Sequence, residues 1–456
     1  MNVGRVIVIL RRGLAAAVTV LTVGGCVPGA AASGAADPSP AAPTLPPPTG
    51  VPSTPVPMPT PSEIPASPSP TPSAPGADLP LATVSYRLPL TIRHVTADGV
   101  TLFFELSAPA AGDVFLRPVE AGGPVIERPL ASDQARHRLT IDGLIPGTRY
   151  EVVVALGDAA SGYQQPGFLD RAWGPVSFQT PSEGGGLRFG VIGDASFGDP
   201  ATIALIDEMA GADLDFVLHT GDVVDETAQG VDPFDSYTHK FYAPFEPLLK
   251  QMPVYTAIGN HDYDADIRWR DAPFYYHAFP AFPDPHFPDQ ADRARNQYYA
   301  FAHAGIQFVV LDSQVFFGAP GYAEQDAWLR ERLADPAYEA TIPIFHVSPF
   351  SSSSVHPTNS LPVREVWAPL FEASNVPIVF SSHFHQYERL SHGGVTYIVT
   401  GGGSSILYAP GDILPESVVF LRQTHYVLVE IDPDRVTLSA IALGGDVLDR
   451  VEYPRQ

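Results

Sequence analysis

Five short apolar runs, each stopped by a polar turn, constrain this chain more than any other feature. The runs 187–192, 216–220, 253–258, 342–345 and 376–380 have the length and residue content of β-strands. The first three end in Gly193-Asp194, Gly221-Asp222 and Gly259-Asn260-His261-Asp262. The last two lead into His346 and into Ser382-His383-Phe384-His385. In layered α/β folds ligands collect outside the carboxyl ends of strands. Five such ends carrying Asp, Asn and His predict one site assembled from five turns.

The side chains at those ends share a chemistry. Carboxylate, amide oxygen and imidazole are hard-to-borderline ligands suited to Fe, Zn or Mn, and no thiolate is among them. Two cations about 3.5–4 Å apart can clamp the attacking and leaving oxygens of a phosphoryl transfer. A bridging carboxylate would hold them at that spacing, and histidines one residue apart can straddle the pair. Glycine in each turn allows backbone and ligand to approach closely. Taken singly the signals are weak: Gly-Asp is most often a surface turn, Asn-His-Asp can cap a helix, and a lone histidine such as His346 is more often a hydrogen-bonded core residue. All five in order, each after an apolar run, read as a metal site.

The remainder of the chain divides by composition. Residues 1–25 carry Arg5, Arg11 and Arg12 ahead of a short apolar run, too short to span a bilayer and shaped as an export signal. The lone cysteine, Cys26, follows Val23-Gly24-Gly25 and resembles the lipidated cysteine of bacterial lipoproteins; an ordinary secretory signal with an incidental cysteine is the alternative. Of 49 prolines in 456 residues, 18 fall between 27 and 80, among Ser, Thr and Ala. Such a segment buries too little apolar surface to offset its ordering entropy. Residues 26–80 therefore read as a lipidated cysteine plus a semi-rigid stalk. From 81 to 182 short alternating strands broken by turns predict an all-β sandwich, with no cluster of catalytic residue types and so the role of a spacer. Within it, Gly147-Thr-Arg-Tyr150 resembles a tyrosine corner.

With these motifs in view, the chain from 187 onward resembles the calcineurin-like metallophosphoesterases. The fibronectin type III-like domain in front and Ser382-His-Phe-His-Gln-Tyr-Glu-Arg389 make it similar to the purple acid phosphatase branch. Tyr298-Tyr-Ala-Phe, Val309-Val-Leu-Asp-Ser313 and His346-Val-Ser-Pro-Phe-Ser351 agree with it. The resemblance implies an α/β four-layer catalytic domain over 187–456, two mixed sheets flanked by helices, behind the sandwich. It implies that Asp194 and His385 hold a first metal and that Asn260, His346 and His383 hold a second, with Asp222 bridging. His261 would stabilise charge or protonate the leaving oxygen. His356 falls where the family places a substrate-contacting histidine, and reads equally as a loop histidine. The implied activity is phosphomonoester hydrolysis by in-line attack of a hydroxide on the metals. Phosphodiester or nucleotide hydrolysis, and a surface binding protein on a metal-depleted scaffold, are the alternatives.

Two departures bear on the first metal. The purple branch has tyrosine three residues after the bridging aspartate, where this chain has Asp225, and the wider superfamily has histidine two residues after the first aspartate, where it has Ser196. Asp225 either substitutes as a ligand or serves as turn chemistry. Ser382 stands where glycine is usual. The irregular stretch 263–297 reads as an insertion of the kind that forms lids, with Arg268, Arg270, Tyr275 and His277 as candidates for substrate contact or surface packing.

Charge supports a small substrate. The formal net charge is −24, and residues 183–456 hold 15 basic against 37 acidic side chains. That excess argues against nucleic acid, whose binders need clustered cations. The expected partners are a small phosphate ester and, through Cys26, a membrane, which places the protein outside the cytoplasm in the cell envelope.

Overall fold

A computed structural model describes residues 81–120, 123–182, 184–226, 233–264, 271–282 and 296–455. The export signal, Cys26, the stalk, Arg268 and Arg270 lie outside the described residues.

Alternation along each strand explains the layering. In Leu187–Ile192, Phe189 and Val191 point one way and Ile192 the other; in Phe216–His219, Phe216 and Leu218 share the first direction while Val217 opposes them. The first set meets Phe308, Val310, Ile344 and Phe380 from a second sheet, forming a core between two sheets. Val309, Phe345 and Val347 face outward from that second sheet onto Trp328, Trp367 and Phe371 of the helices Tyr322–Leu333 and Ser360–Ala373. On the outside of the first sheet lies the helix Pro200–Ala210, whose Leu205, Ile206 and Met209 are buried. Helix, sheet, sheet, helix is the four-layer arrangement expected, because strands buried on both faces need cover on both.

Both sheets are mixed. The six-stranded one runs Val254–Thr256, Phe216–His219, Leu187–Ile192, His425–Ile431, Arg435–Ala442, Val447–Pro454, with its first three strands parallel. In the seven-stranded one, Ile306–Val310, Ala340–Val347, Ile378–Ser382 and Val395–Thr400 are parallel, and antiparallel strands close both edges. Register then does the assembling. Ile192 pairs with His219 and His219 with Thr256, so the turns bearing Asp194, Asp222 and Asn260 leave one edge together. Val347 pairs with Ser382, which brings His346 and His383 to the facing edge.

The strand-rich N-terminal part has a three-stranded sheet of Tyr86–Val95, Gly99–Leu106 and Arg136–Asp142 and a five-stranded sheet centred on Arg149–Asp158 and Gly112–Pro118. The backbone N–H of Ile145 donates to Tyr150 Oη at 2.9 Å, as a tyrosine corner requires. The sandwich packs directly against the part that follows it. The sandwich core continues without a break into Tyr242, Phe245 and Phe279 of the catalytic part. Ser177 N–H donates to the Lys250 carbonyl at 2.8 Å, and His94 Nδ1 lies 2.9 Å from Tyr255 Oη. Burying that much shared apolar surface makes the two parts one folded body.

The stretch 263–297 also differs from its irregular reading. It contains the helix Pro273–Ala278, started by proline at its first position, where the missing N–H has no cost.

Candidate metal centre

The site rests on strained turns. Nine described non-glycine residues have positive φ, and four of them are Asp194 at 55°, Asp222 at 51°, His383 at 72° and His356 at 55°. Residues held in the left-handed region cost stability and cluster where function fixes a side chain. Asp262 ties two of the turns: its buried carboxylate accepts from Val223 and Val224 N–H, at 3.0 and 3.2 Å, and from Gly259 N–H at 2.8 Å. Burial, then the neighbouring Asp222, push its pKa up to about 8.

His346 shows what the cluster is for. Its Nδ1 lies 3.2 Å from the Thr220 carbonyl, to which it can only donate, and so Nε2 carries the lone pair when the ring is neutral. Around Nε2 stand Asp222 Oδ2 at 3.2 Å, Asn260 Oδ1 at 3.1 Å and His383 Nδ1 at 3.2 Å. Asp222, Asn260 and neutral His346 thus turn three acceptor atoms on one another, with His383 Nδ1 beside them. The ligand atoms of Asp222, His346 and His383 lie within 4.8 Å of one another, all buried. Without a cation a proton must serve: despite burial, Asp222, Asp194 and Asp262 raise the His346 pKa to about 9, and Asp222, also buried, is drawn down by His346 and His261. His383, desolvated and beside His346, is pushed well below its ordinary value. A divalent cation would satisfy every one of these atoms, and the donor set of carboxylate, amide oxygen and imidazole fits Fe, Zn or Mn.

A second acceptor pair adjoins it. His385 Nδ1 donates to the Ile406 carbonyl at 2.9 Å, leaving Nε2 to face Asp194 Oδ1 at 3.5 Å. That carboxylate oxygen is buried and accepts no hydrogen bond among the described residues, while Oδ2 accepts from His383 N–H at 3.0 Å. Burial raises the Asp194 pKa, with His385 and His346 opposing.

The residues named from sequence thus separate. Asp194, Asp222, Asn260, His346, His383 and His385 come together. His261 is exposed at the mouth, its backbone N–H donating to Asp222 Oδ1 at 2.9 Å. His356 is also exposed, its ring stacked on His383 at 5.3 Å. The Asp225 carboxylate is engaged by Lys240. Tyr275 is buried, with Oη donating to the Thr256 carbonyl at 2.7 Å, and His277 pairs through Nε2 with Glu105 of the sandwich. Both are packing residues and neither reaches the cluster.

Sequence reasoning missed the supports. Ser382 Oγ donates to the Thr220 carbonyl at 3.0 Å and lies 3.1 Å from His346 Nδ1, so the residue replacing glycine braces the imidazole. The Asn359 amide lies 3.0 Å from His383 Nε2. Tyr408 stacks flat on His385, centroids 4.2 Å apart and planes 5° off parallel. Burial, Asp194 and Asp222 push its phenol up to about 12. Such partners fix ligand orientation and tune the ligands. The small residue in Ser382-His-Phe-His was the available signal for the first; the other two sit in loops without periodicity.

Residues 187–387, which span all six of these side chains, match the family model for calcineurin-like phosphoesterase. This region is similar to the calcineurin-like phosphoesterases, over somewhat less than half of the chain. Purple acid phosphatases are homologues of the chain: purple acid phosphatase 23 of Arabidopsis thaliana is 27% identical over 304 residues, 59% of this chain and 62% of that protein. Purple acid phosphatase 18 of the same plant is 30% identical over 151 residues, 32% of each. The chain therefore spans from about a third to about three fifths of these relatives' length. Among solved structures, the purple acid phosphatase from yellow lupin (Lupinus luteus) seeds superposes with a TM-score of 0.64 at 16% identity, covering 80% of this chain and 74% of that one. PhoD superposes with a TM-score of 0.60 at 14% identity, covering 84% and 92%. At those identities the likeness is one of fold, and it extends through the strand-rich N-terminal part.

Proposed function

We propose that the protein is an exported, membrane-tethered phosphoesterase that hydrolyses phosphomonoesters at a centre of two metal ions. The observation carrying this reading is the convergence of a buried carboxylate, an amide oxygen and a second imidazole on His346 Nε2. Asn260, His346 and His383 would hold one cation, Asp194 and His385 the other, with Asp222 shared. Bound there, the cations supply Lewis acidity to water and to the phosphoryl oxygens. The chain's own groups do the rest. Thr220 and Ile406 carbonyls fix the tautomers of His346 and His385 with Nε2 facing the site. His261, exposed and tied through its backbone to Asp222, would give a proton to the leaving oxygen.

Purified full-length protein is expected to hold about two equivalents of Fe, Zn or Mn and to hydrolyse an aryl monoester faster than an aryl diester. A faster diester would make it a phosphodiesterase. Fewer than one metal per chain, with no turnover under added divalent ions, would leave a binding protein on a phosphatase scaffold.

Localisation rests on residues 1–26, where a charged and then apolar segment precedes Cys26. Lipidation there would anchor the chain, since a thiol-linked lipid adds apolar surface for the bilayer. Cys26→Ser is expected to move the protein from the membrane fraction to the soluble exported fraction. An unchanged distribution on fractionation would remove the anchor from the proposal.

A further inference from the structure

Loop 404–416 crosses the mouth of the metal centre, and it is built as a fixed wall. Tyr408 N–H donates to the His385 carbonyl at 2.8 Å, Ser354 N–H to the Ala409 carbonyl at 3.0 Å, and Gly411 N–H to the Ser352 carbonyl at 2.7 Å. Leu414 N–H donates to Ser352 Oγ at 3.0 Å, and Ser352 is held in turn by the buried carboxylate of Glu388, which accepts its N–H at 2.9 Å and its hydroxyl at 2.5 Å. The wall is therefore pinned both to a ligand residue and to the loop that carries His356.

Two rings stand on the ligand imidazoles. Tyr408 lies flat on His385 and His356 stacks on His383, while Tyr408 and His356 meet edge to face at 6.4 Å and 69°. One face of the phenol is covered by His385, and the residue is only half-buried. The same loop exposes Ile406 at 46% and Ile413 at 55%. It contains no lysine or arginine, and its charged residues are Asp412 and Glu416. A planar apolar group on the alcohol side of an ester would meet a ring and aliphatic side chains here.

We infer that Tyr408 determines leaving-group specificity at this site, favouring phosphate esters whose alcohol is aromatic over aliphatic ones. The inference rests on the phosphoesterase reading above. In the hydrolysis it refers to, a water oxygen forms the new P–O bond, the ester P–O bond breaks, and the alcohol leaves with a proton. Tyr408 contacts the departing alcohol and takes no proton itself.

The test is equilibrium binding of phenylphosphonate and methylphosphonate to the metal-loaded full chain, neither of which can be hydrolysed at an ester bond. The wild-type protein is expected to bind the phenyl compound about tenfold more tightly, the scale an aromatic contact supplies. Tyr408→Ala should bring the ratio within about twofold, and Tyr408→Phe should retain it, because the ring and not the hydroxyl makes the contact. The aryl-to-alkyl ratio of kcat/KM, measured with phenyl phosphate and glycerol phosphate, should move in parallel. A ratio unchanged in Tyr408→Ala overturns the inference. So does a parallel loss of both ligands with a lost metal, which would show that Tyr408 only supports His385. Failure of the wild-type protein to bind either phosphonate overturns the phosphoesterase reading itself, and the inference with it.

Discussion

Asp222→Asn is expected to lower kcat/KM on an aryl monoester by at least ~10³-fold, about 4 kcal/mol of transition-state stabilisation, and to reduce bound metal to one equivalent or fewer. Asparagine keeps the shape of the side chain and changes two things. It removes the buried negative charge that faces His346 Nε2 at 3.2 Å, and it turns one oxygen into an N–H₂ donor. A donor aimed at a cluster of acceptors competes with the cation those acceptors require. The other oxygen accepts the His261 N–H at 2.9 Å and can continue to do so, so the turn should survive and the protein should remain folded. Metal content by elemental mass spectrometry, far-ultraviolet circular dichroism and steady-state kinetics separate these effects. A folded variant with two metals and activity within tenfold of wild type would put the centre elsewhere.

How much of this was legible in the sequence depends on how local each signal is. The six residues that meet at the site were readable because each sits within a few residues of the end of an apolar run, and strand register carries those ends to one edge without further information. The four layers were implied by the family resemblance; the structure explains them by Phe189 and Val191 alternating with residues of the opposite face. Other features depend on distant segments meeting. Tyr408 lies in a loop whose position is fixed by hydrogen bonds to His385 and Ser352, and nothing in Ile406-Leu407-Tyr408-Ala409 announces that. The fusion of sandwich and catalytic part runs through pairs such as His94 and Tyr255, 161 residues apart, which no periodicity marks. Asp225 was ambiguous because a carboxylate there serves equally as ligand or turn chemistry, and its contact with Lys240, fifteen residues on, carries no local signal. The helix Pro273–Ala278 was hidden by its three aromatic residues, although the proline at its start was the cue.

Gly259→Ala is expected to disable the site with a single methyl group. A Cβ at this position would lie 2.1 Å from Asp222 Oδ1, 2.2 Å from the Asp222 backbone nitrogen and 2.9 Å from its Cα. Gly259 does not have positive φ, so proximity and not conformation demands glycine here. The obstruction cannot swing aside. Asp222 is already held at a φ of 51°, and the N–H groups of Val223 and Val224 are fixed on Asp262, which also accepts from Gly259 itself. Relief requires the Asp222 and Asn260 turns to part by about an ångström, and displacement on that scale costs on the order of 10²-fold in rate. Overpacking should also lower stability by roughly 1–3 kcal/mol. Gly211→Ala is the control: its Cβ would meet nothing closer than 3.5 Å, at a helix end with a right-handed φ of −86°. Activity in that variant should stay near wild type. If Gly259→Ala matched the control in both turnover and melting temperature, the close approach of the two ligand-bearing turns would be wrong, and with it the sharing of Asp222 between two cations.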